Sequence, residues 1–399
     1  MKSLLGVILS GMLLTGISAD TQNIANENTA QYVYAQAEEC ASENALHIKA
    51  KSAFLMDFET KTPIFSLNES DRLPIASMCK IMTLIVTFDA IHRGELAMDE
   101  NITVSERAAS MGGSQVFLEA NAQYSVRELI KSIVVCSAND SCVALAEKIA
   151  GSEELFTEKM NEKAKKLGAI DTLFANCTGL PKEPQYSCAK DVALMLKNLL
   201  SNEEYYEFGK VWLDKFEHPK GRYTEITNTN KLIRFYEGCD GGKTGFTNQA
   251  GFCLAATAKR GDMRIISVVI GEENSNNRFD DVRTMFDYAF ANYTLTPIVK
   301  AQTTLEEKAL INGGKVKSVE VCPVRSAYSL AKKGEKSDIK TEIEWKSKRA
   351  PVKRGECVGE IIVYENSVER ERVPLLSKEN VGKASFFDRM QDVARKWNG

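Results

Sequence analysis

The chain is poor in histidine. His47, His92 and His218 are the only three in 399 residues, which excludes a zinc centre built on two or three imidazoles and leaves little for a mechanism resting on a histidine base. None of its ten cysteines forms a C-x-x-C pair, so the spacing of a zinc ribbon or a dithiol redox site is missing. No metal and no other cofactor is expected. Cys136, Cys253 and Cys322 lie inside apolar runs and read as small buried hydrophobes, while Cys136 with Cys142, or Cys177 with Cys188, could pair in an oxidising compartment. Charge of one sign is not in excess either: Lys and Arg total 51 against 54 Asp and Glu, a net charge of −3, with no block of like charge. A nucleic-acid partner held by phosphate neutralisation is therefore not expected. Nor is any hydrophobic run long enough to cross a bilayer, because the strongest, Leu4 to Leu14, falls short of the ~20 residues a spanning helix needs.

What is present is ample core material. Hydrophobic residues make up 44% of the chain and charged residues 26%, which fits a globular protein of two domains. The N-terminal run follows Lys2 and precedes the small residues Thr15-Gly16-Ile17-Ser18-Ala19, the arrangement of a signal peptide over 1–19, so an exported, extracytoplasmic protein is expected. Residues 20–44 are polar and without periodicity and read as a leader. From Ser52 to Phe58 and Pro63 to Leu67 the pattern predicts a hairpin, followed by a helix from about Ala76, with Met78, Ile81, Met82, Ile85 and Phe88 at helical spacing. Further helices are predicted over 126–135, 141–150, 157–167, 189–200 and 278–293, and a second hairpin over 251–270. Strands at both ends with helices between predict an α+β domain over 45–296 whose antiparallel sheet joins sequence-distant pieces. Pro297 marks its end, and short strand-like runs over 316–321, 339–345, 357–364 and 370–375 predict a small all-β, sandwich-like domain over 297–383.

Three short motifs carry chemistry. In Ser77-Met78-Cys79-Lys80 the i, i+3 spacing stacks hydroxyl and amine on one helix face. A lysine desolvated beside a positive helix end is pushed towards the neutral form a base needs. Ser137-Ala138-Asn139 is placed in the turn between two helices, where hydroxyl and amide can enter one cleft. Lys243-Thr244-Gly245 precedes the second hairpin. Gly242-Lys243-Thr244 superficially suggests a phosphate loop, but Glu237 stands where that motif needs glycine, and the following residues enter a strand rather than a helix. The bland reading of the first two motifs is a helix cap. Their joint occurrence in this order, with Ser137 60 residues after Ser77 and 106 before Lys243, is far more specific than any one alone.

Together with Arg72 to Thr83, Ser110-Met111-Gly112-Gly113-Ser114, Asn176-Cys177-Thr178-Gly179-Leu180 and Asp240 to Thr247, these motifs give a chain that resembles the low-molecular-mass penicillin-binding proteins, the serine-type D-alanyl-D-alanine carboxypeptidases, from about Ala45 to Val381. The resemblance implies a serine β-lactamase/transpeptidase-like domain, with Ser77 as nucleophile, Lys80 as its base and Ser137 as proton relay. It further implies that Asn139, Lys243, Thr244, Gly245 and Phe246 bind a peptidoglycan stem ending in D-Ala-D-Ala, with β-lactams as covalent inhibitors. Cys79 and Cys177 stand where Thr and Pro are usual in the family, and neither is expected to do chemistry. A class A β-lactamase shares the three motifs but needs a glutamate between the second and third. Asp171 to Leu180 contains none, although Glu183 follows. A DD-endopeptidase, a transpeptidase and a non-catalytic β-lactam or muropeptide sensor remain as alternatives. Over 384–399, Phe386, Met390, Val393 and Trp397 share one helical face near Arg389, Arg395 and Lys396, which reads either as a short amphipathic membrane contact or as a terminal helix packed on the β-domain.

Overall fold

A computed structural model describes residues 44–335 and 337–390; the expected signal peptide, and the tail positions Val393, Arg395, Lys396 and Trp397, lie outside them. Strands β1 (Ser52–Asp57) and β2 (Pro63–Leu67) form the predicted hairpin. They join β3 (Cys239–Thr247), β4 (Gly251–Arg260) and β5 (Met263–Glu272) in one antiparallel sheet of order β2-β1-β5-β4-β3. The sheet is thus assembled from the two ends of the domain, as expected, and β3 is an edge strand.

Alternation along the strands explains why the sheet sits between two helical layers. Ala53 and Leu55 pack on one side with Leu254, Ile265, Val282 and Phe286, whereas Phe54 and Met56 pack on the other with Val268 and Ile270. All ten residues of β5 are buried, which accounts for its nearly unbroken apolar run. Helix α1 (Lys80–His92) is apolar around most of its circumference, with ten of thirteen residues buried, and forms the centre of one helical layer. Against it stand α3 (Asn139–Ala150), α4 (Glu153–Leu167) and α5 (Ala189–Leu200), with α2 (Val126–Cys136) packed on α3; α6 (Asn277–Asn292) covers the opposite face.

The C-terminal part is all β. Strands β6 (Tyr293–Val299), β7 (Lys308–Asn312), β8 (Ser318–Pro323), β9 (Ala327–Lys332), β10 (Ile339–Trp345), β11 (Cys357–Glu365) and β12 (Val368–Ser377) bury Val319, Val321, Val358, Val363, Val373 and Leu375. Pro297, expected as a boundary, lies inside β6, which pairs with β9; an edge strand tolerates proline because its missing N–H has no ladder partner to lose. The nine described cysteines, Cys136, Cys142, Cys177 and Cys188 included, are free thiols. No described helix is long and apolar enough to cross a membrane.

Candidate active site

The predicted helix over the first motif begins differently from the expectation. Ala76–Cys79 is a 3₁₀ turn, and the α-helix proper starts at Lys80. In a 3₁₀ turn residues i and i+3 eclipse, so Ser77 and Lys80 lie one above the other, with Lys80 Nζ 3.0 Å from Ser77 Oγ. Ala76, just before the serine, is held at φ 47°, a left-handed conformation that a non-glycine residue adopts only where its surroundings impose it.

The 176–179 segment imposes it. Asn176 Oδ1 accepts from the backbone N–H groups of Thr178 and Gly179 at 3.1 and 2.7 Å. The tight turn that results aims the Thr178 carbonyl at Lys80, whose Nζ donates to it at 2.6 Å. Gly179 has φ +80°, and a Cβ there would lie 2.0 Å from the Ala76 carbonyl oxygen. Only glycine lets this turn press against the nucleophile. From the other side comes edge strand β3, where a Cβ on Gly245 would lie 2.6 Å from the Ile75 carbonyl and 3.3 Å from Ser77 N. The glycine of Lys243-Thr244-Gly245 is therefore a spacing requirement of the nucleophile.

Ser137 caps α2 in a left-handed conformation, φ 66°, but Asn139 departs from its expected place: it is the first residue of α3, and the turn is Ser137-Ala138 alone. Neither Asn139 nor Asp140 caps that helix. Asp140 instead accepts from Val116 N and Leu118 N, fastening the 112–118 segment beside Asn139. The Asn139 backbone N–H donates to Ser114 O and its Nδ2 to Gly112 O, both at 2.7 Å. Ser137 Oγ and Asn139 Oδ1 are buried and form no hydrogen bond among the described residues. Buried polar atoms are nearly always paired, so these two orphans, two residues apart, are open to hydrogen bonds from a ligand.

Thr229 ties this corner to β3. Its N–H donates to Val135 O at 3.0 Å, and its hydroxyl accepts from Thr244 Oγ1 at 2.7 Å. Lys243, 2% exposed, donates to the Thr244 carbonyl at 3.2 Å and to no other group among the described residues. Burial, reinforced by the Lys80 charge, pushes its ammonium down to about 7. Among the described residues no carboxylate pairs with Lys80 or Lys243, and a buried amine without a counter-ion, as Lys243 is, can receive an anion. Phe246, half exposed, stacks on Phe252 with centroids 4.3 Å apart. Arg278 donates to the Gly245 carbonyl at 3.1 Å, and since the carbonyl and N–H of one trans peptide point opposite ways, the Phe246 N–H is directed away from Arg278.

The structure thus joins Ser77 and Lys80 directly, backs Gly245 onto them, and links Thr244 to the Ser137 helix end through Thr229. Thr178, Gly179, Thr229 and the carbonyls of Gly112 and Ser114 are site residues that received no role from motif reading. An Asn two and three residues before Thr178 and Gly179 is the one local signal for the first pair, as an Asx turn; the others act through backbone or long-range contacts. No described group of three or more His, Cys, Asp or Glu residues is placed to hold a metal ion.

Residues 37–274 match the family model described as D-alanyl-D-alanine carboxypeptidase, and residues 293–383 match the C-terminal domain of penicillin-binding protein 5. The chain is 38% identical to D-alanyl-D-alanine carboxypeptidase DacF of Bacillus subtilis across its whole length and 99% of that relative. Its fold is similar to that of penicillin-binding protein 5 from Haemophilus influenzae, with a TM-score of 0.69 and 28% identity over 86% of this chain and all of the other. It is also similar to ampicillin-bound penicillin-binding protein D2 from Listeria monocytogenes, with a TM-score of 0.56 and 29% identity over 61% of this chain and 99% of the other. With more than half of its residues under one family model and a full-length relative behind it, this chain belongs to the D-alanyl-D-alanine carboxypeptidase family of serine peptidases.

Proposed function

We propose that the protein removes the terminal D-alanine from peptidoglycan stem peptides through an acyl-enzyme on Ser77. The observation that carries this reading is the 3.0 Å contact between Ser77 Oγ and Lys80 Nζ beside a buried Lys243 that lacks a carboxylate partner. Lys80 accepts the Ser77 proton as Oγ attacks the carbonyl between the two D-alanines. The oxyanion that forms is held by the backbone N–H groups of Ser77 and Phe246. Ser137 passes a proton to the departing amine, Lys243 and Thr244 hold the terminal carboxylate, and Asn139 holds a peptide amide. Water then hydrolyses the ester and restores Ser77. Measuring free D-alanine after incubation of purified protein with a pentapeptide tests this reading, and absence of release by a folded protein overturns it.

The role of Lys243 has a pH consequence. Its folded ammonium loses its proton near pH 7, and only the charged form attracts a carboxylate. In the free enzyme kcat/KM should therefore fall above about pH 7, while kcat, which reports the complex with the carboxylate in place, should hold to higher pH. Lys243→Arg should move the falling limb upward, because guanidinium stays charged; an unchanged kcat/KM profile in that variant would assign the limb to another group.

The N-terminal charge and apolar run support export to the cell envelope, where the substrate is found. Exposed Phe386, Phe387 and Met390 support a peripheral membrane contact at the C-terminus.

A further inference from the structure

His218 takes no part in the steps above, yet it is 6% exposed and both of its ring nitrogens are engaged. It lies in the turn of a hairpin, Leu213–Glu217 with Tyr223–Thr227, against the rings of Phe216 and Tyr124. Its Nε2 is 2.9 Å from Thr224 Oγ1, and its Nδ1 is 3.1 Å from the Tyr124 hydroxyl and 2.8 Å from Arg222 Nη2. Each of those three partners goes on to hold the same stretch of backbone. Thr224 Oγ1 donates to the Val116 carbonyl at 3.3 Å, Arg222 Nη2 donates to the Phe117 carbonyl at 2.9 Å, and the Tyr124 hydroxyl accepts from Glu119 N at 3.2 Å. From the other side Asp140 accepts from Val116 N and Leu118 N. Phe117, between the two clamps, has φ 62°, which a non-glycine residue keeps only while its surroundings impose it.

The partners fix the protonation state of the ring. Arg222 can only donate, so Nδ1 must present its lone pair. Thr224 spends its proton on the Val116 carbonyl, so its oxygen accepts from Nε2, which carries the hydrogen. His218 is thus the neutral Nε2–H tautomer. A second proton would sit on Nδ1 and point at the Arg222 guanidinium 2.8 Å away, two donors and two positive charges face to face. Tyr124 could turn its hydroxyl to accept that proton; Arg222 cannot. Arg222 and Tyr124 are the titratable groups in contact with the ring, and Glu119, paired with Arg222 at 3.0 Å, is the carboxylate nearby. Burial, and then the Arg222 charge, hold the imidazole below its ordinary value against the opposing pull of Glu119.

The consequence for the active site runs through the backbone. Residues 112–114 lead directly into the clamped stretch, and they hold Asn139 through Ser114 O and Gly112 O, leaving Asn139 Oδ1 open. We infer that His218 is a positioning residue and an acid-sensitive latch: neutral, it keeps residues 116–119 against Asp140 and Asn139 turned towards the substrate amide, and protonated, it drives off Arg222 and releases that wall of the cleft. The part played by Asn139 rests on the function proposed above, whereas the coupling of His218 to Arg222 does not.

The scarcity of histidine makes the test direct. Untagged protein offers three imidazoles to NMR, His47, His92 and His218, and His218→Asn identifies the third by its loss. In the wild type His218 should titrate below the other two, and Arg222→Met should move it upward. His218→Asn keeps an uncharged acceptor, Oδ1, where Nδ1 stood. At about pH 7 that variant should keep a KM within about twofold of wild type, whereas His218→Ala should raise KM about fivefold, the worth of roughly one hydrogen bond. As pH falls below the His218 titration point, kcat/KM for D-alanine release from a pentapeptide should drop in the wild type relative to His218→Asn, by up to about tenfold per pH unit. A merely structural role would leave that ratio constant with pH. If His218 titrates with the other two and is unmoved by Arg222→Met, or if His218→Asn keeps the wild-type acid limb, the inference is wrong while the carboxypeptidase reading stands. If the wild type releases no D-alanine, the earlier reading fails, and the NMR titrations still decide whether His218 and Arg222 form the latch.

Discussion

Ser77→Ala is expected to lower D-alanine release by about 10⁴-fold or more, with no loss of folded structure. The side chain removed is one hydroxyl on a 3₁₀ turn whose geometry is held by its neighbours: Asn176 folds the segment that presses on Ala76, and Gly245 backs the turn from the sheet. Lys80→Ala is expected to cost nearly as much. Nucleophile and base act as one unit, so the double variant should be little worse than either single one, a non-additivity that two independent contributions would not show. Lys80 also anchors the Thr178 carbonyl at 2.6 Å, and its removal therefore carries a structural penalty that Ser77→Ala does not. Comparing thermal unfolding of the two variants separates the effects. Near-normal turnover in a folded Ser77→Ala protein would remove Ser77 from the mechanism.

The second large effect concerns β-lactams. Benzylpenicillin presents a strained amide and a carboxylate at the spacing of a D-Ala-D-Ala terminus, so Ser77 should open the ring with the carboxylate at Lys243 and Thr244. Release then depends on an activated water. On the side of Ser77 away from β3 the structure places the Thr178 carbonyl and the Gly179 backbone, and the 171–180 segment supplies no glutamate. Glu183, the first acidic residue after it, is turned to Gln249 on the exposed rim. The opened ring remains tethered and cannot diffuse away as D-alanine does. A penicilloyl adduct should therefore persist for minutes or longer, block peptide turnover, and map by mass spectrometry to the peptide containing Ser77. Rapid multiple turnover of benzylpenicillin without a trapped adduct would favour a β-lactamase instead.

Much of this site could be read from spacing alone, and the parts that could not share a physical reason. Ser77 and Lys80 are three residues apart in any right-handed helical turn, so their juxtaposition survived the change from the expected α-helix to a 3₁₀ turn. The helices over 126–136 and 189–200 and the strands over 52–57 and 63–67 declared themselves through a buried face with a clear period. The sequence alone puts Asn139 in a turn, since Asn and Asp favour caps; the carbonyls of Gly112 and Ser114 and the N–H groups of Val116 and Leu118 engage Asn139 and Asp140 instead, and those partners lie more than 20 residues away. The Thr178 carbonyl is invisible to motif reading because any residue type can supply one. In the C-terminal part, β6, β7 and β9 lie outside the predicted runs although their burial alternates: Pro297 inside β6 reads as a terminator, and the exposed Leu310 in β7 hides its polar–apolar alternation.

The pairing of β1 with β5 bears on how the protein comes into being. Ser52 lies opposite Ile270, and Asp57 opposite Ile265, so the central sheet cannot close until more than 200 residues after its first strand have been made. Contacts this distant in sequence slow folding, because chain entropy must be surrendered before the contact rewards it. A nascent chain that ends between Thr247 and Met263 would carry Ser77, Lys80, Ser137 and Lys243 in full, yet it would have no β5 on which to lay its apolar helices. During synthesis the emerging N-terminal part is thus left as a sticky, unpaired hairpin and a set of half-covered helices, vulnerable to aggregation and proteases. The docking of β5 against β1 is thus the late step that completes the central sheet.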